Sequence, residues 1–141
     1  MKHKKFSDKC VVKLEKGDEV IACLTNFAKD EQIKLAKFFG IGAVSSITVG
    51  FYQLPKKTYV WREFIEELEV TSLLGNIAIL DSEPFIHAHI NVSDKNFNVY
   101  GGHLKKAIVG ATLEVVVELI DGEVERKFSD EIGLNLLNLP S

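Results

Sequence analysis

The sequence predicts an α+β domain, mainly antiparallel β-sheet with a few covering helices. Three observations carry this: repeated β-branched runs, turn residues between them at hairpin spacing, and one clear segment of helical apolar period. At 141 residues the chain suits a single domain, 1–141, with one core. Hydrophobic residues make up 46% and charged residues 26%, a balance that supports a core and excludes bulk disorder.

Residues 9–15 are β-branched and stop at the turn chemistry of Lys16-Gly17-Asp18. Asp18 is placed to cap a helix over 18–30, whose Val20, Ile21, Leu24, Phe27 and Ala28 recur on one face. Residues 32–39 fit a strand or a continued helix. Residues 44–52 read as a strand with a bulge at Gly50, and Pro55-Lys56-Lys57 as a turn. Residues 58–62 and 68–74 then read as two strands parted by the acidic stretch Glu63 to Glu67, and Gly75-Asn76 leads into a further one at 77–80.

After a turn at Asp81 to Pro84, residues 85–92 alternate with period two, and Asp94 to Asn98 turns the chain again. Residues 111–120 form an almost continuous β-branched run, followed by a hairpin signal at Asp121-Gly122 and a strand at 123–128. A short helix is expected from Ser129 or Asp130 before the apolar tail. Residues 1–8 read as a flexible basic arm, in which Lys2, Lys4 and Lys5 are the candidate nucleic-acid contacts.

Charge argues against nucleic-acid binding over the whole surface: 17 Lys and Arg stand against 20 Asp and Glu. Arg62 and Arg126 are the only arginines, so bidentate recognition of phosphate or guanine is scarce. Cys10 and Cys23 fit neither a disulfide framework nor a zinc knuckle and read as buried thiols. No apolar run reaches signal-peptide or membrane-span length, so a soluble cytoplasmic protein without membrane partners is expected.

The chief chemical signal is His87-Ala88-His89 followed by Gly101-Gly102-His103. Residues two apart on a strand share a face, about 6.5–7 Å apart, close enough for both imidazoles to approach one ion. A hairpin through residues 94–98 returns His103 alongside, and the two glycines admit a close backbone approach. His87, His89 and His103 are therefore the candidate ligands of a divalent metal, zinc foremost, with one position open to water. Glu69, Asp94 and Glu114 are the candidate outer partners or base. The plainer alternative gives each histidine only a local hydrogen bond.

The chain also resembles the plants-and-prokaryotes-conserved (PPC) domain family over nearly its whole length. The marks are Lys16-Gly17-Asp18-Glu19, Gly40-Ile41-Gly42-Ala43, residues 68–76, and the two histidine elements with Leu104 after the second. The resemblance implies an α+β homotrimer in which the same three histidines form a metal-binding unit. It also carries an association with DNA, or with DNA-binding partner proteins. The Arg-Gly-Arg-Pro hook of plant members is missing, and the stretch matching their partner motif, Glu66 to Thr71, lacks its Gly and Arg. Partner recognition therefore need not transfer.

Other readings are weaker. Gly40-Ile41-Gly42 lacks a dinucleotide fingerprint's third glycine, the serines have no nucleophile-elbow setting, and Phe51, Tyr52, Trp61 and Phe64 read as packing. The leading expectation is a trimeric, metal-binding, DNA-associated or regulatory module. The alternatives are a small metal-dependent enzyme of hydrolase or lyase type, or a small-ligand sensor using the same histidines.

Overall fold

The computed structural model describes residues 1–140. Strand β1 (Lys2–Phe6) and β2 (Lys9–Glu15) precede helix α1 (Val20–Asp30). Three long strands, β3 (Ala36–Gln53), β4 (Thr58–Leu80) and β6 (Val99–Leu119), enclose the shorter β5 (Glu83–Ser93), and β7 (Arg126–Ser129) and β8 (Leu134–Leu137) follow. The main sheet runs β1-β2-β6-β3-β4-β5, all antiparallel. It closes on itself, because β5 pairs with β4 on one side and with β6 on the other. Register shifts in β3 near Gly40–Gly42 and Val44–Ser46 bend the long strands enough for that closure.

The core follows from the alternation. Ile86, Ala88, Ile90 and Val92 of β5 face inward with Leu113, Val115 and Val117 of β6 and Val44, Ile47 and Val49 of β3. Helix α1 packs Val20, Leu24, Phe27 and Ala28 into the same core. Thus the β-branched runs 44–52 and 111–120 are largely satisfied within one chain. Phe51, Val60, Ile65 and Leu74 remain exposed on the outer face.

Several expectations are corrected. Residues 2–6 are a paired edge strand rather than a free arm; Lys2 reaches Glu15 at 3.4 Å, and His3 meets Glu31 at 3.0 Å. The helix cap is Glu19, whose two carboxylate oxygens accept from the Ile21 and Ala22 amides. Asp18 instead accepts from the Glu15 amide and the terminal amine. The undecided stretch 32–39 is a connection up to Leu35, then β3.

The three strands expected between 58 and 80 are one: Glu63 to Ile65 pair with β3, Glu66 and Glu67 fall in a register shift before pairing resumes at Leu68, and Glu63, Glu66 and Glu67 are exposed. Asp121-Gly122 closes no hairpin; the chain crosses there to bridge Ile79 through Glu125. The expected C-terminal helix is the β7–β8 hairpin, its turn fixed by the Ser129 carbonyl accepting from Gly133. Among the described residues no helix is long and apolar enough to cross a membrane.

Gly75 sits where β4 meets β5, opposite Ala88 and Phe38. A Cβ there would collide with the His87 carbonyl and the buried Phe38 ring. Gly75→Ala is therefore expected to cost about 1–3 kcal/mol and to displace β5, as urea unfolding would show. The β5–β6 turn is organised by Asp94, which accepts from the Asn96 and Asn98 amides, the Asn98 side chain and the Tyr100 hydroxyl. The Asn98 side chain is the main influence holding this carboxyl below its ordinary 3.8, with the Asn98 and Asn96 amides and Tyr100 adding to it. A depressed carboxyl pKa means support that is complete above the ordinary value and lost as pH falls through the folded one. Amide NMR shifts of Asn96 and Asn98 should accordingly stay constant above pH 4 and move below it, and Asp94→Asn should abolish that titration.

Candidate metal centre

His87 and His89 lie on the outward face of β5, between the inward Ile86, Ala88 and Ile90. His103 lies directly opposite His89 in the β5–β6 pairing and opposite Gly50 of β3. This register gathers three imidazoles, with ring centroids 5.3–5.5 Å apart. One ring nitrogen from each lies within 4.8 Å of the other two. An ion central to such a triangle is at most about 2.8 Å from every nitrogen, and rotamer adjustments of under about 1 Å reach the ordinary 2.0–2.1 Å bond.

The donor chemistry fits a metal as well as the spacing does. His103 Nδ1 is buried and has no hydrogen-bond partner, an orphaned acceptor or donor of the kind a bound ion would satisfy. Burial, aided by His87 and His89, pushes the His103 pKa down to about 4. Burial also lowers His87, reinforced by the positive Arg126 and by His89. Both rings are thus neutral near pH 7, the form that coordinates metal.

One wall of the site is aromatic. Tyr59 lies 4.9 Å from the His103 ring and stacks on Trp61 at 4.6 Å, while Lys105 lies over Trp61. Gly50 makes room for that stack, since a Cβ there would lie 2.6 Å from the Trp61 ring. The other wall is Arg126, delivered by β7. Its Nη2 donates to Asn76 Oδ1 at 2.7 Å, its Nη1 to the Asn135 carbonyl at 3.0 Å, and its guanidinium lies over Phe85. Asn76 is the β4 partner of His87, so the guanidinium is adjacent to the triad on the same face.

The structure brings together His87, His89 and His103 and leaves the three acidic candidates elsewhere. Glu69 and Asp94 line a separate cleft of about 740 Å³ with Lys16 and Lys95, and none of the histidines lines it. Glu114 lies opposite Lys13 and Ile41, at the other end of β6. Among the described residues no carboxylate joins the histidine group. Sequence reasoning missed Arg126, Asn76 and Tyr59 as neighbours of the site. The available signals were a polar Asn inside an apolar strand and one of only two arginines in the chain.

Comparison with known proteins agrees with the fold. A crystal structure of a "putative DNA-binding protein" from Bacteroides thetaiotaomicron superposes with TM-score 0.94 at 30% identity, covering 97% of this chain and 96% of that one. Another so described, from Ralstonia eutropha, gives 0.91 at 34% identity, over 98% and 96%. A "metal-containing protein" from Archaeoglobus fulgidus gives 0.87 at 35% identity, over 96% of each chain. No curated protein matches the sequence. The profile of the Plants and Prokaryotes Conserved (PCC) domain, the PPC domain named above, matches residues 1–121. The chain therefore belongs to the PPC domain family.

Proposed function

We propose that this protein is a metal-binding PPC-domain module in which His87, His89 and His103 hold one divalent ion, zinc by preference. It works as a homotrimer in the cytoplasm, in a DNA-associated or regulatory role. The carrying observation is the convergence of three imidazoles at one spot, with His103 Nδ1 left unpartnered. Imidazole donors favour zinc over magnesium or calcium, which take oxygen. The metal-containing relative supports the ion, and two relatives described as DNA-binding support the association. Exposed Phe51, Val60, Ile65 and Leu74 give trimer formation a physical motive, and the free thiols of Cys10 and Cys23 suit a reducing compartment.

Bound there, the ion would supply Lewis-acid chemistry or a ligand-binding position, because three protein ligands leave one site open. That opening is what favours the second reading, a small metal-dependent enzyme or a sensor. Within one chain Glu69 and Glu114 lie apart from the histidines, so neither supports that reading.

Two measurements test the proposal. Elemental analysis of purified protein should give close to one metal per chain, falling by more than tenfold in His87→Ala/His89→Ala, while light scattering gives a trimer mass for both. A trimer without metal, even after reconstitution, would make the histidines structural. Retention on duplex DNA should weaken steeply between 50 and 200 mM salt; absence of retention at low salt would remove direct DNA binding and leave partner proteins.

A further inference from the structure

The charge balance around the triad is lopsided. Arg126 is 8% exposed, yet its hydrogen-bond acceptors are neutral, an amide oxygen and a backbone carbonyl. Among the described residues no carboxylate lies within ion-pairing distance of it. Its Nε is buried without a partner. Proteins seldom bury a cation unless an anion accompanies it, because desolvation is offset only by a counter-charge.

The surroundings add no negative charge. The groups acting on His87 and His103 are Arg126 and the other histidines, with no Asp or Glu among them. On the opposite rim Lys105 lies 4.8 Å from the Trp61 ring centre, beside His103. Imidazole ligands bring no charge of their own, so a divalent ion held by three of them keeps its full charge. The held ion, Arg126 and Lys105 would together form a positive patch with one coordination position open.

We propose that this position takes a small oxyanion, a carboxylate foremost, and that the buried Arg126 beside His87 sets the preference for negative charge. The inference rests on the metal reading above. Arg126 is a positioning residue: Asn76, Asn135 and Phe85 fix its guanidinium, so its charge is in place before a ligand arrives. A neutral carbonyl compound of the same size gains none of this attraction.

The test uses the intact protein loaded with cobalt(II), whose visible spectrum reports changes at the open position. Acetate is the probe and acetamide, its uncharged analogue, the control. Acetate should shift the spectrum saturably, with acetamide at least tenfold weaker. Arg126→Gln should keep its metal and weaken acetate by tenfold or more, whereas Arg126→Lys should recover part of the loss. Metal content and circular dichroism measured on each variant separate loss of anion binding from loss of fold.

A loaded parent that responds equally to acetate and acetamide, or to neither, overturns this inference and leaves the metal reading standing. So does a folded, loaded Arg126→Gln variant that binds acetate as well as the parent. A parent that takes up no cobalt overturns the metal reading and this inference with it. Because the parent alone discriminates acetate from acetamide, the test holds even if both Arg126 variants misfold.

Discussion

Everything at the candidate site depends on β5 being hydrogen-bonded on both edges. Its pairing with β4 sets His87 opposite Asn76, and its pairing with β6 sets His89 opposite His103. The β6 pairing gathers the three histidines, and the β4 pairing adds the Asn76 that holds Arg126 beside them. The double pairing is bought with bends in β3 and a tight β5–β6 turn, which is why the bulges and the Asp94 hydrogen bonds matter beyond their own neighbourhood. Strand register has a period of two, so a slip of one residue would exchange His87 and His89 for Ile86 and Ala88. The buried Ile86, Ala88, Ile90 and Val92 hold the register against that slip.

Packing and chemistry are thereby divided between two faces of one sheet. The inner face carries aliphatic side chains and the helix, and supplies stability in the ordinary way by burying apolar area. The outer face carries imidazoles, aromatic rings and an arginine, most of which contribute little to that burial. Half-burial on this face is enough to keep His87 and His103 neutral while leaving His89 exposed to an arriving ion. A fully buried triad would be sealed from solvent, and a fully exposed one would be protonated more readily and held less firmly.

The sequence made the histidines legible because strand alternation and hairpin return are local rules. His87, His89 and His103 need only period two and a turn at 94–98 to be brought together. The helix was legible for a similar reason: Val20, Leu24, Phe27 and Ala28 repeat on one face. Misreadings arose where local chemistry and tertiary pairing disagree. Glu63, Glu66 and Glu67 look like a break, but exposed charge is compatible with a strand that continues through a bulge at Glu66 and Glu67. Ser129 and Asp130 look like a helix cap, yet Ser129 Oγ accepts from Ile132 inside a hairpin turn. Arg126 was out of reach because its partner Asn76 lies 50 positions away, a contact that no window of sequence contains.

The β7–β8 hairpin lies beyond residue 121, where the family profile ends, and it grips the rest through a few tethers: Arg126 to Asn76, Val124 to Ile79, Tyr52 to Ile132 and Lys57 to Asp130. Of the groups around the histidines, Arg126 is thus brought in by a stretch of chain apart from the strands that hold them. A substitution in that hairpin therefore changes the charge beside the triad while the histidine strands and the aliphatic interior keep their own contacts.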